Sequence, residues 1–154
     1  FRDLDTDKRL VIAGGGSETS GYEASLREAA QGDPRILFTG FVNGEPLEEL
    51  YSNCYAYVLP SDVEGMPMSL LEAMTHGRCC VTSDIPECAD VLAGNGMTFE
   101  KGSAESLRSA LRDLLADCDR TSTLGAAAKA HVDKTYNWDS VVDGTLAVYE
   151  GVSI

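Results

Sequence analysis

The sequence predicts an α/β fold, a doubly wound parallel sheet with helices on both faces, within one domain over residues 1–154. Three observations carry this. Short apolar runs recur at 9–13, 36–39, 56–59 and 79–83. Segments with apolar residues at helical spacing separate them. Each run ends in glycine, proline or a polar loop, the punctuation of alternating strands and helices.

Residues 1–8 are polar, without a clear period, and read as a lead-in. The strand at 9–13 runs into Gly14, Gly15 and Gly16, which let a ligand or another backbone approach closely. Residues 17–21 are loop, and 22–30 an amphipathic helix ending near Gly32, Asp33 and Pro34. Strand 36–39 ends at Gly40 and is followed by a loop beginning Phe41-Val42. A helix over 46–53 starts at Pro46 and turns Leu47, Leu50 and Tyr51 inward.

Strand 56–59 stops at Pro60, because proline donates nothing to a ladder. Gly65 frees the following turn. Pro67 suits the first position of the next helix, where its missing N–H would have had no partner. Leu70, Leu71 and Met74 recur at helical spacing, and Gly77 is the expected left-handed stop.

Strand 79–83 ends at Asp84-Ile85-Pro86, a short helical turn follows at 89–92, and Gly94-Asn95-Gly96 turns into strand 97–99. The helix at 103–117 carries an apolar stripe of Leu107, Leu111, Leu114 and Leu115. A helix over 120–136 is alanine-rich. A last one, over 138–152, places Trp138, Val141, Val142, Leu146 and Tyr149 inward. The loops after the first four strands should gather on one rim, since ligands of such sheets bind beyond the carboxyl ends of the strands.

Composition narrows the function. Twelve basic against 25 acidic residues give a net charge of -13, which argues against nucleic acid as a partner. No apolar run reaches membrane-span length. The five cysteines, Cys54, Cys79, Cys80, Cys88 and Cys118, show no framework spacing and suggest reduced thiols in a cytoplasmic protein. His76 and His131 lack metal-ligand spacing, so no metal site is expected. Gly14-Gly15-Gly16 is no dinucleotide fingerprint, because Thr19 stands where a third glycine belongs and no acid closes the next strand.

The chemistry concentrates at 57–77. Glu64 precedes the helix and Glu72 lies in its second turn. Between them fall backbone N–H groups of Gly65, Met66, Met68 and Ser69 at a helix N-terminus, which carries partial positive charge and suits phosphate. An anion-binding centre flanked by two hydroxyl-binding carboxylates is what a nucleotide-diphosphate sugar requires.

Pro60-Ser61, Glu64-Gly65, Glu72-Ala73-Met74 and Gly77 together resemble the Glu-x7-Glu signature of retaining GT-B glycosyltransferases, particularly family 4. The likeness covers 9–150 and implies the Rossmann-like, nucleotide-sugar-binding C-terminal half of such an enzyme. It implies that Glu64 serves catalysis by contacting the transferred sugar, and that Glu72 holds the ribose hydroxyls. The amides of Gly65, Met66, Met68 and Ser69 would hold the sugar and diphosphate. Phe41 and Val42 would lie against the base, and Gly14 and Gly15 would border the donor pocket. The implied donor is of UDP or GDP type. The reaction needs neither cofactor nor metal, and the acceptor is a glycan or lipid-linked glycan.

The family's diphosphate-clamping Arg and Lys find no match at 1–8, and its acceptor domain is absent. The expectation is therefore a fragment lacking the first βα unit, inactive alone, whose partners are the donor and the N-terminal acceptor domain. Any membrane association would run through that missing half, and the absent strand should leave an altered sheet. Rival readings are half of a sugar-nucleotide epimerase and a non-enzymatic nucleotide-binding module.

Overall fold

The computed structural model describes residues 1–15 and 20–151. Gly16, the loop residues 17–19 and Val152, all assigned above from sequence, lie outside the described residues. The element order is β1 (Leu10–Ala13), α1 (Ser20–Ala30), β2 (Ile36–Gly40), α2 (Glu45–Asn53), β3 (Ala56–Leu59) and α3 (Met68–Thr75). It continues β4 (Cys79–Ser83), α4 (Pro86–Leu92), β5 (Met97–Phe99), α5 (Ala104–Ala116), α6 (Cys118–Thr135) and α7 (Trp138–Tyr149). Among the described residues every pairing is parallel, in two sheets: β1–β2 and β3–β4–β5. The alternation of strands and helices thus produces the expected α/β class, with its strands divided between two sheets. The chain clusters into two compact units, Phe1–Leu50 and Tyr51–Ile154, with the boundary inside α2.

In the first unit Leu10 to Ile12 pair with Ile36 to Phe38, and the register shifts before Ala13 meets Gly40. The polar lead-in is not loose. The Arg35 guanidinium donates to the carbonyls of Arg2, Leu4 and Thr6 and grips the Asp33 carboxylate at 2.8 Å. One planar fork with several donors thereby ties a segment that has no periodicity of its own.

The second unit is built on β4, all five of whose residues are buried. Cys79, Val81 and Phe99 pack with Ala110 and Leu114 of α5 on one side, where Tyr55 donates to the Leu114 carbonyl at 2.6 Å. Leu70, Ala73 and Met74 of α3 are fully buried. Caps follow the local chemistry: Ser103, Asp117 and Asn137 each accept the backbone N–H three residues on. Gly77 takes φ +66°, as a left-handed stop requires.

Three expectations need correction. Pro67 occupies the cap of α3, not its first turn; with ψ 79° it stands outside helical geometry, and Met68 begins the helix. The short turn at 89–92 is a seven-residue helix, because Pro86 starts it at the position where proline is tolerated. The stripe on α7 does not face inward. Trp138 and Tyr149 are more than four-fifths exposed, and Val141, Val142 and Leu146 about half. Periodicity gives a helix an apolar face but does not supply the element that would cover it.

Candidate active site

Beyond β3 the chain leaves the sheet at Pro60 and returns as α3, so residues 60–68 form a loop ending on a helix tip. No side chain caps that tip, and no acidic residue lies in its first turn. The amide of Leu70 donates to the Pro67 carbonyl, and that of Met68 donates to the Met66 carbonyl at 2.8 Å. Met68 is therefore spent internally, against the expectation that its N–H is free. Among the described residues, the amides of Gly65, Met66 and Ser69 donate to nothing in the protein. Met66 and Met68 are more than half exposed, so their side chains do not plug the tip.

Both carboxylates are held by hydroxyls. Ser61 Oγ donates to Glu64 Oε1 at 2.6 Å, and Ser83 Oγ at the end of β4 donates to the Ser61 carbonyl. Tyr51 OH donates to Glu72 Oε2 at 2.9 Å. Between them Tyr57 OH donates to Ser69 Oγ at 2.8 Å, and the Tyr51 and Tyr57 rings lie 5.8 Å apart. Burial is the main reason that the Tyr57 phenol is pushed up to about 12, with Cys80, Glu64 and Glu72 adding to it. Burial, then the bond to Glu72, also raises Tyr51. Both phenols are therefore protonated donors at neutral pH. An accessory contact joins this loop to the end of β5: Lys101 Nζ donates to the Asp62 carbonyl and its amide to Asp84 Oδ1.

The first unit brings together the other named positions. Gly14 donates to the Gly40 carbonyl, and a Cβ on Gly15 would stand 3.6 Å from the Phe41 amide. Phe41 is 76% exposed, and Val42 is half-buried. Gly14, Gly15, Phe41 and Val42 thus share the carboxyl ends of β1 and β2.

Tyr51, Tyr57, Ser61 and Ser83 were not singled out as site residues from sequence. Tyr51 was read as inner-face packing, yet a buried phenol needs a hydrogen-bond partner, and that requirement was the available signal. Arg78, beside the rim, donates to the carbonyls of His76 and Cys54.

The parallel α/β fold, with an open helix tip between two acids at its strand-end loops, is shared in its architecture with the C-terminal domains of solved glycosyltransferases. A solved C-terminal domain of a group 1 glycosyl transferase from Francisella tularensis superposes with a TM-score of 0.75 at 19% identity, over 85% of this chain and 70% of that one. Anabaena HepE, solved with UDP, superposes at 0.86 with 17% identity, over 94% of this chain and 41% of that one. The chain belongs to the group 1 glycosyl transferases, whose family model matches residues 2–117. An uncharacterized glycosyltransferase of Methanocaldococcus jannaschii is 29% identical over 149 residues, 92% of this chain and 37% of the relative. This chain spans 26% to 41% of the length of the curated relatives that it matches.

Proposed function

We propose that this chain binds the donor, a nucleotide-diphosphate sugar of UDP or GDP type, for a retaining, metal-independent glycosyl transfer. The observation that carries the reading is the uncapped tip of α3, with open amides at Gly65, Met66 and Ser69, set between Glu64 and Glu72. These amides, with the helix dipole behind them, neutralise the leaving diphosphate. With Met68 engaged internally, three amides carry the task for which four were expected. Glu64, held by Ser61, accepts from the sugar hydroxyls and stabilises the charge developing on the sugar. Glu72 accepts from the ribose. Phe41 and Val42 contact the base, and Gly14 and Gly15 leave room for the donor, on the strength of the family resemblance.

The acceptor, a glycan or lipid-linked glycan, is bound by the remaining length that the relatives possess, so this chain alone transfers no sugar. The five free thiols suit a reducing, cytoplasmic setting. No described helix is long and apolar enough to cross a membrane.

Titrating the chain with UDP, GDP, ADP, UDP-glucose and GDP-mannose, with and without Mg²⁺, tests the reading. Expected is metal-independent binding of one nucleotide diphosphate. The added affinity of its sugar conjugate should disappear in Glu64→Gln. Binding that requires Mg²⁺, or none at all, overturns the proposal, and transfer to any acceptor by this chain alone refutes its inactivity.

A further inference from the structure

The bond that holds Glu72 comes from outside its own helix. Glu72 is exposed on α3, and a glutamate there samples several rotamers in water. Among the described residues its carboxylate has one hydrogen-bond partner, the Tyr51 hydroxyl on Oε2. Tyr51 is only 7% exposed. Its ring stacks on the His76 imidazole at 5.6 Å and 15°, and His76 Nδ1 lies 3.1 Å from Ser52 Oγ. The ring also meets Tyr57, tilted at 53°. The phenol is thus held by burial and two aromatic contacts and reaches out to an otherwise free carboxylate.

We propose that Tyr51 is a positioning residue for donor binding. It fixes the Glu72 carboxylate through Oε2 and leaves Oε1 free to accept both vicinal hydroxyls of a ribose. This rests on the reading of Glu72 as the ribose contact. The benefit is preorganisation: the rotamer freedom of Glu72 is removed during folding and not when the nucleotide arrives. Burial keeps the phenol a donor at neutral pH, so the carboxylate stays the acceptor. Tyr51 touches no part of the donor in this scheme and acts through Glu72 alone.

The test compares UDP with 2′,3′-dideoxy-UDP on wild type, Tyr51→Phe, Glu72→Ala and the double variant, with binding followed by heteronuclear NMR. GDP and its dideoxy form are run in parallel. Phenylalanine keeps the ring and its stacking, so matched thermal melts confirm the fold. Tyr51→Phe should weaken the ribose nucleotide threefold to tenfold and leave the dideoxy nucleotide unchanged. The double variant should bind no worse than Glu72→Ala.

Equal affinity of wild type and Tyr51→Phe for the ribose nucleotide overturns the role of Tyr51 while leaving Glu72 standing. Equal loss for both nucleotides shows a merely structural tyrosine and overturns it too. A wild type that fails to distinguish UDP or GDP from its dideoxy form, or binds neither, instead fells the reading of Glu72 and this inference with it. Should Tyr51→Phe not fold, Ser52→Ala, which loosens His76 behind the ring, supplies the second reading. A smaller loss confined to the ribose nucleotide supports the proposal, and no such loss overturns it.

Discussion

Gly125 in α6 lies directly against the carbonyl of Gly77, where α3 hands the chain to β4. A Cβ at 125 would fall far inside contact distance of that oxygen and 3.2 Å from the Cys79 amide. Because the neighbours are backbone, they cannot swing aside. Gly125→Ala should therefore cost about 1–3 kcal/mol by pushing α6 off β4. Gly144→Ala is the control: nothing stands within 4 Å, so removing a mid-helix glycine should stabilise by about 0.5–1 kcal/mol. Urea denaturation of both variants checks the pair, and an unchanged midpoint in Gly125→Ala would refute the close approach.

Ser61 should govern how well the sugar end is held, since its hydroxyl sits on Glu64. Ser61→Ala frees that carboxylate without removing it. A hydrogen bond to a neighbour contributes about 1 kcal/mol net, so affinity for the nucleotide sugar should fall about fivefold while that for the bare nucleotide holds. Parallel calorimetric titrations of UDP-glucose and UDP, with the GDP pair alongside, read the difference. Equal losses in both would place Ser61 in general folding instead.

Acid should loosen the first unit through Asp33. The Arg35 hydrogen bonds hold its carboxyl down to about 2, from an ordinary value of 3.8. A depressed folded value means that the stabilisation is complete above about pH 4 and disappears as pH falls towards 2. Asp33→Asn should flatten that part of the acid titration, followed by the amide signals of residues 1–8. A profile identical to wild type would exclude the pair as the acid-sensitive clamp.

The cysteines should separate by reactivity. Burial pushes the Cys79 thiol up to about 11 and raises Cys80 and Cys88 as well, whereas Cys118 is exposed. Iodoacetamide at neutral pH should label Cys118 first, and the three buried thiols only in denaturant, as read by peptide mass spectrometry. With its folded value raised, Cys79 contributes stability that is intact below about pH 9 and lost as pH rises towards 11. Early labelling of Cys79 would contradict its burial.

Much of this molecule follows from local rules. β3, β4 and β5 lie where apolar runs meet proline, glycine or aspartate, and Gly77 stops α3 because only a residue tolerant of positive φ fits there. The acid pair and the glycine between them are proposed on the same kind of signal, as motif and turn chemistry are short-range. α7 shows the limit: its apolar spacing specifies a helix, but the same spacing does not specify burial, which depends on a neighbour.

Element type and order were therefore settled within windows of a few residues, where backbone sterics and side-chain period dominate. The partners of the acid pair were settled by folding. Tyr51 on α2 reaches Glu72 on α3 from 21 positions away, and Ser83 supports Ser61 from 22, because the parallel strands β3 and β4 bring their ends to one edge. The internal use of the Met68 amide depended on the loop's three-dimensional path. Side-chain hydrogen bonds act over about 3 Å in space, and no periodicity in the chain encodes which distant hydroxyl will arrive there.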